Sequence, residues 1–339
     1  MRKFGPRDIK APSLLFMETP SRFRLSVVVP CHNEADNIPM LYSRLKAQLE
    51  NFEDYELIFV DDGSTDATAR LIEDLAASDP RVRLLQLTRN FGHQNALKAG
   101  IDHADGDCIV SLDADLQHPP ELIPQMVQRW MEGYDVVTTL RRQTEGEPFF
   151  KRLFSHLFYR LIHFLSDIDL PPGSADFRLI DRVVADVIKN MEESDIFLRG
   201  LISWAGFRQT SLEYNAAERF AGETSYNFRK MIKLALAGIT SFSIRPLRLS
   251  VLLGIAIAGL AFLYGIYILY IYMFTDRAIP GWASTTGSIL FIGGIQLIVL
   301  GIMGEYLGKL FMENKRRPQY IVRRERQKNI RFNSRNQNH

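Results

Sequence analysis

Cysteine is scarce: the 339 residues hold only Cys31 and Cys108, with no CxxC pair and no metal-ligand spacing. That excludes a disulfide framework and fits a reducing compartment, with both thiols expected as buried packing residues. Net charge is nearly absent as well, at +2, too little to argue for nucleic acid as a partner. Residues 1–23 carry charges and prolines but lack an apolar run of signal-peptide length, so they read as a flexible leader that directs no secretion. Apolar residues, in contrast, make up 46% of the chain against 24% charged, which supplies a sizeable core and argues against disorder. Lys and Arg are unevenly spread, gathering around residues 141–160, 229–248 and 309–328, each beside an apolar segment.

Residues 24–227 read as one α/β domain. Short β-branched runs at 25–29, 56–60, 83–87, 108–112 and 135–139 alternate with helix-length segments at 38–51, 67–77, 94–104 and 120–132. That alternation predicts a mainly parallel, Rossmann-like sheet with its ligands at the carboxyl ends of the strands.

After Arg245-Pro246-Leu247-Arg248 the pattern changes. Residues 249–274 hold no charged side chain, and 283–307 hold only Glu305. At about 1.5 Å per residue, either run more than spans a hydrocarbon layer of about 30 Å. A pair of buried core helices is the alternative, and two in tandem at this length are rare. Arg245 and Arg248 precede the first run and Lys309, Lys315, Arg316 and Arg317 follow the second, against Arg277 between them. This bias predicts a transmembrane hairpin over 249–310 in the inner (plasma) membrane, with both termini and the α/β domain cytoplasmic. Residues 311–339 then read as a basic cytoplasmic tail. Two further stretches, 149–165 and more weakly 228–248, read as helices lying among the headgroups, with ordinary core helices as the alternative. In the first, Phe150, Leu153, Phe154, Leu157, Leu161 and Phe164 recur at helical spacing beside Lys151, Arg152 and Arg160.

Three strand ends carry the candidate chemistry. The first strand runs into Pro30-Cys31-His32-Asn33-Glu34, where Glu34 suits a bond from a ribose or base, or equally the capping of the following helix. The second ends in Asp61-Asp62-Gly63-Ser64-Thr65-Asp66. Capping and a positive-φ glycine explain much of that run, but two adjacent carboxylates exceed what a turn requires, and one is expected to face a nucleobase imide. The fourth ends in Asp113-Ala114-Asp115-Leu116-Gln117. An Asp-x-Asp leaving a buried strand offers hard oxygen donors to a divalent cation shared with phosphates. Asp115 is the expected ligand and Gln117 a second, while Asp113, counted with them, lies nearer the ribose. Such an ion neutralises a departing diphosphate, and stabilising developing charge is usually the largest catalytic contribution.

Taken in order, VVVPCHNEADNI, LIFVDDGSTDAT, LTRNFGHQNALKAGIDHADGD and IVSLDADLQHPPELI resemble the family 2 glycosyltransferases of the GT-A fold. The resemblance is close to the polyprenyl-phosphate glycosyltransferases, which include dolichyl-phosphate mannose synthase and the GtrB-type bactoprenol glucosyltransferases, and it extends over about 24–317, hairpin included. It implies that Pro30, Asn33 and Glu34 hold the nucleoside, that Asp62 or Asp61 faces the base, and that Asp113 lies near the ribose. It further implies that Asp115 with Gln117 binds Mg²⁺ or Mn²⁺. Lys98 is similar to a family position near the donor, a solvated helix lysine being the alternative. Arg141, or Arg142 in its place, looks like part of an acceptor-phosphate cradle with Lys151, Arg152 and Ser155. Arg199 and Arg219 look like late acceptor or donor elements, the latter in a loop near the diphosphate. Asp176 falls where inverting members place a base carboxylate. That role is soft, because a phosphate monoester has its second pKa near 6 and needs little deprotonation; orienting the acceptor, or pairing with Arg178, are the alternatives.

The implied reaction is an inverting transfer from a nucleotide-sugar to undecaprenyl or another polyprenyl phosphate at the bilayer, giving a β-linked product. UDP-glucose comes first as donor, with GDP-mannose, UDP-N-acetylglucosamine and UDP-aminoarabinose open. A processive polysaccharide synthase would add a Gln-x-x-Arg-Trp motif and further spans, and the sequence has neither. A membrane scaffold with a degenerate transferase domain would have no use for Asp113, Asp115 and Gln117. Gly254, Gly259, Gly293, Gly294 and Gly301 suit close helix packing, and hence a homo-oligomer.

Overall fold

A computed structural model describes residues 22–141, 174–193, 196–214, 245–274 and 281–326. The headgroup helices expected at 149–165 and before Arg245, together with Arg142, Lys151, Arg152, Ser155 and Arg219, lie outside the described residues. In chain order the elements are β1 (Arg24–Cys31), α1 (Ile38–Leu49), β2 (Asp54–Asp61), α2 (Thr68–Ser78), β3 (Val82–Leu87), α3 (His93–Asp102) and β4 (Cys108–Ser111). A 3₁₀ turn (Pro120–Leu122) follows, then α4 (Ile123–Met131), β5 (Val136–Arg141), β6 (Ser174–Asp181), α5 (Arg182–Lys189), α6 (Leu198–Trp204) and β7 (Gln209–Tyr214). The chain continues through α7 (Arg245–Phe274), α8 (Trp282–Asn314) and β8 (Val322–Arg326).

All strands among the described residues join one sheet in the order β7-β5-β6-β4-β1-β2-β3-β8. Its centre, β4-β1-β2-β3, is parallel, while β6 lies antiparallel to β4 and β5, and β8 antiparallel to β3. Parallel strands covered on both faces read as unbroken apolar runs, and β1 shows the reason: Val27 and Val29 enter one core, with Phe59, Leu41 and Val110, while Val28 enters the other, with Val60, Ala96 and Ile109. On that second face α3 approaches β1 at Gly100, where a Cβ would overlap Val28.

Asp176, whose element the sequence left open, lies on β6, an antiparallel strand wedged between β4 and β5. Of the tail expected over 311–339, residues 311–314 form the last turn of α8 and 322–326 form β8, whose sequence VRRER has no apolar alternation to announce a strand, while 327–339 lie outside the described residues. The two long helices match the expected spans, lengthened at their flanks to 30 and 33 residues. Their apolar windows are 6% and 0% buried, so their side chains face outward and the buried-core alternative fails. Both are long and apolar enough to cross a membrane.

Candidate active site

The chain lays down β1, β2 and β3 toward one edge and then returns to place β4 on the other side of β1. Loops leaving the carboxyl ends of β1 and β4 therefore diverge, which opens a crevice. A cavity of about 430 Å³ sits there. Glu34, Asp62, Asp113, Asp115 and Asp176 line it with His32 and His93, and among the described residues no lysine or arginine does.

The first two loops hold each other. Asn33, in a left-handed conformation with φ 57°, donates its N–H to Ser64 Oγ at 3.0 Å and accepts the Thr65 N–H on Oδ1 at 2.8 Å. Its side chain thus fastens the β1 loop to the β2 loop, and it is not among the cavity-lining residues. Glu34 does line the cavity; its Oε2 accepts from Asn37 Nδ2 at 2.6 Å, and its N–H is held by Thr68 Oγ1 at 2.8 Å. The two aspartates of β2 part company. Asp61 is fully buried and spends its oxygens on the Ser64 N–H and on Gln86 Nε2, so it is turned away from any base. Asp62 reaches the cavity, but its carboxylate accepts the N–H groups of Phe91 and Gly92 at 2.7 and 2.9 Å, which fixes the loop between β3 and α3.

Beyond β4, Leu116 takes φ 63°, a conformation unfavourable for a side chain of its bulk. The resulting turn folds Gln117 back on Asp115: the Gln117 N–H donates to Oδ1 at 3.1 Å and Nε2 to Oδ2 at 2.8 Å. Arg141, at the end of β5, reaches Gln117 Oε1 at 3.4 Å, so the expected phosphate ligand and the expected metal ligands form one chain of contacts. Asp113 is held through its N–H by Nδ1 of His118, a ring stacked on Phe177. Burial outweighs the nearby carboxylates and lowers the His118 pKa, consistent with a neutral ring accepting on Nδ1.

Asp176 is the best-connected carboxylate. Arg199, at the start of α6, grips it with two hydrogen bonds of 2.7 Å, Nε to Oδ1 and Nη2 to Oδ2. Gln94 Nε2 adds a bond at 3.2 Å, and the buried Arg178 guanidinium stands 3.5 Å away. Burial alone would raise the Asp176 pKa, but the bonds from Arg199 and His93 and the charges of both arginines hold it well below the usual carboxylate range. The sequence offered Arg178 or another basic residue as its partner; the tertiary fold gives the stronger contact to Arg199.

His93, which sequence reasoning passed over, bridges the two halves of the site: its Nε2 lies 3.3 Å from Asp113 and 3.4 Å from Asp176. Burial lowers its pKa, yet the Asp176 bond and the charges of Asp113 and Asp176 prevail and raise it. Its place just after Asn90-Phe91-Gly92, at the first position of a helix entering from a strand end, was the available signal. Lys98 corrects the sequence reading in both its forms. It is 2% exposed and bonded to Asp102 at 2.8 Å and to the Lys189 carbonyl at 3.3 Å, away from the cavity. One helical turn or more separates it from His93, and α3 turns it into the second core.

Among the described residues no three His, Cys, Asp or Glu side chains cluster closely enough to hold an ion unaided. The donor set at the β4 loop still fits a hard cation. Asp113 and Asp115 offer carboxylate oxygens and Gln117 a carbonyl, and Asp113 Oδ1 is buried and makes no hydrogen bond, His93 Nε2 at 3.3 Å being its ion-pair neighbour. Mg²⁺ and Mn²⁺ suit a site in which one or two carboxylates are completed by water and substrate phosphates.

Comparison with known proteins gives two family matches, one described as glycosyl transferase family 2 over residues 26–188 and one as the GtrB C-terminal hairpin over residues 245–310. A Bacillus subtilis protein described as an uncharacterized glycosyltransferase is 48% identical, the alignment covering 88% of this chain and 93% of its own. The bactoprenol glucosyl transferase of Shigella phage SfV is 41% identical over 90% of this chain and all of its own. Among solved structures, a mannosyltransferase from Pyrobaculum calidifontis in complex with GDP-Man and Mn²⁺ is 17% identical, covers 90% of each chain and superposes with a TM-score of 0.46.

Proposed function

The chain belongs to glycosyl transferase family 2 and ends in a GtrB C-terminal hairpin, and from that premise we propose that it transfers glucose from UDP-glucose to a polyprenyl phosphate such as undecaprenyl phosphate at the inner membrane. The fold is the GT-A α/β fold of the family, and the protein is an enzyme. The names of its bactoprenol glucosyl transferase relatives support the lipid acceptor and the sugar.

The acid-lined cavity carries the reading. Five carboxylates line it, and the arginines nearest them among the described residues, Arg178 and Arg199, are paired with Asp176; such a lining would repel a sugar diphosphate. Such a donor binds there in company with a divalent cation, and the Asp113, Asp115 and Gln117 oxygens suit one. Mg²⁺ or Mn²⁺ at those residues would offset the charge that develops on the leaving diphosphate.

The chain's own residues supply the rest. The acceptor phosphate oxygen attacks C1 of the sugar, the bond from C1 to the diphosphate oxygen breaks with its electron pair leaving on the nucleoside diphosphate, and the anomeric centre inverts to a β-linkage. Asp176, held ionised by Arg199, is a weak base, and a phosphate dianion needs none. Its role is to aim Arg199 and His93 at the reacting groups. Arg141, with Lys151, Arg152 and Ser155, receives the acceptor phosphate; Arg219 attends the donor diphosphate. Pro30, Glu34 and Asp62 wall the nucleoside side. Helices α7 and α8 cross the bilayer with both termini cytoplasmic, and their glycines provide for a homo-oligomer.

The test is sugar transfer from a panel of UDP- and GDP-sugars to undecaprenyl phosphate in detergent, with Mg²⁺, Mn²⁺ or EDTA, and with Asp115→Ala. One lipid-linked product, from UDP-glucose, lost with EDTA and in the variant, is the expected result. A product from another donor would correct the sugar. No product from any donor, with folded protein and intact lipid, would refute transfer and favour the scaffold.

A further inference from the structure

The chain that leaves α8 does not drift away from the α/β domain. Residues 315–321 alone join Asn314 to β8; fully extended, they reach no farther than roughly 25–30 Å. From Gln319 onward that path is fastened residue by residue. Gln319 Nε2 donates to the carbonyls of Met191 and Glu193 at 3.2 and 2.7 Å, closing the end of α5. Tyr320 OH donates to Asp102 Oδ2 at 2.9 Å, on the same carboxylate that pairs with Lys98 at the end of α3. The Thr88 N–H donates to the Ile321 carbonyl at 3.0 Å. Strand β8 then pairs with β3 from Leu87↔Val322 to Leu84↔Arg326. Glu325 binds the buried Arg83 at 2.6 Å, and Arg324 binds Glu73 at 2.8 Å.

What β8 covers is next to the cavity. Strand β3 runs directly into residues 88–92, of which Asn90 and Gly92 line the cavity and Phe91 and Gly92 are held by Asp62. Without β8 the β3 edge would expose its unpaired backbone groups, Arg83 would lose a partner, and Asp62 would anchor the loop from one side only.

We infer that residues 319–326 form a strut that couples the second membrane helix to the donor cavity, holding the 88–92 loop in shape and the cavity within fixed reach of the bilayer. The strut adds a positioning element to the reaction proposed above and rests on that reading only for its kinetic readout. Of the loop's two anchors the strut binds the end of β3 directly, and it fastens α3 at its far end, Asp102, so one short segment ties the anchor in the membrane to the wall of the cavity.

The test compares, in nanodiscs and without ligand, the full chain with versions ending at Arg326 and at Arg317, by hydrogen–deuterium exchange. The version ending at Arg326 is expected to match the full chain. The one ending at Arg317 is expected to exchange residues 82–92 faster, on the order of tenfold or more, with β1 and β2 still protected, and to show a raised donor KM with a smaller change in kcat. Unchanged protection of 82–92 overturns the strut. Should the shorter version fail to accumulate, full-length Glu73→Cys with Arg324→Cys is joined by a short bismaleimide; Cys31 and Cys108 are buried and do not compete. A cross-link within one chain, with turnover retained, supports the strut. A cross-linked dimer, or turnover lost on linking, overturns it, because the strand would then belong to another copy or would have to leave during the cycle. If exchange behaves as expected and the intact enzyme turns over no donor, the strut stands and the transfer reading fails.

Discussion

At the scale of single residues, the site is defined by which carboxylates are already engaged. Asp61 is consumed by the fold, Asp62 by the β3–α3 loop, and Asp176 by Arg199, Gln94 and His93. Asp113 Oδ1 makes no hydrogen bond, and the Asp115 carboxylate is held by Gln117 of its own loop. The low pKa of Asp176 follows from ion pairing rather than exposure, so it stays ionised through the working pH range and adds no limb to the pH profile there. Asp176→Asn is therefore expected to lower kcat about a hundredfold by releasing Arg199 and His93, while donor affinity changes by a few-fold at most. Steady-state kinetics with UDP-glucose, beside nucleotide binding by calorimetry, separates the two effects. A variant that binds no donor would move Asp176 into the nucleotide site, and a wild-type acid limb that vanishes in the variant would restore the general base.

At the scale of elements, two contacts decide whether the loops stand in register. Gly63 has φ 65°, and a Cβ there would lie 2.5 Å from the Arg89 carbonyl carbon. The β2 turn thus packs backbone to backbone against the loop after β3. Gly63→Ala is expected to cost at least about 2 kcal/mol, from the left-handed conformation and from that overlap, seen as a lower unfolding midpoint and a higher donor KM together.

Behind the sheet, Glu56 on β2 is 1% exposed and accepts from Ser26 Oγ on β1 at 2.6 Å, from the Asp105 N–H at 2.7 Å and from Arg83 on β3. Burial raises its pKa, but those bonds and the Arg83 charge outweigh it and leave the pKa lowered. A depressed carboxylate contributes stability that is complete above its unfolded pKa, about 4.3 for Glu, and is lost as pH falls through the lower folded value. Glu56→Gln should weaken the protein by about 3 kcal/mol at pH 7, and the gap to wild type should shrink below about pH 4. Thermal unfolding at both pH values tests this; a gap that widens in acid would contradict it.

At the scale of the whole molecule, the outward-facing apolar side chains of α7 and α8, with Leu252 63% and Leu297 71% exposed, call for lipid rather than water. The chain then consists of a sheet that receives a soluble donor, tied at its far edge to the hairpin that brings it to a lipid acceptor. The excess of Lys and Arg outside the hairpin predicts its direction. In intact cells, a cysteine at Gly281→Cys should be labelled from outside by a membrane-impermeant maleimide. One at Arg316→Cys should be labelled only after the cells are opened. The reverse pattern would place the cavity on the wrong side of the membrane for a cytoplasmic donor.

Strands β1 to β5, helices α1 to α4, the two spans and the three motif loops were legible in the sequence because each depends on local periodicity or on turn chemistry within a few residues; β6, β7, α5 and α6 were not. The sequence by itself determined that carboxylates would gather at the ends of β1, β2 and β4, since alternation of strand and helix leaves little choice of side. Only tertiary structure decided which of them face the cavity. Asp61 and Asp62 are neighbours in sequence and part because Asp61 is the last residue of β2 and Asp62 the first of the turn that follows. Lys98 goes to the second core because α3 packs on β1 at Gly100. Arg199 reaches Asp176, and β8 reaches β3 across more than two hundred residues, through pairings that no local pattern encodes. A charged edge strand with no alternation becomes a strand only because another strand's free hydrogen bonds are there to receive it.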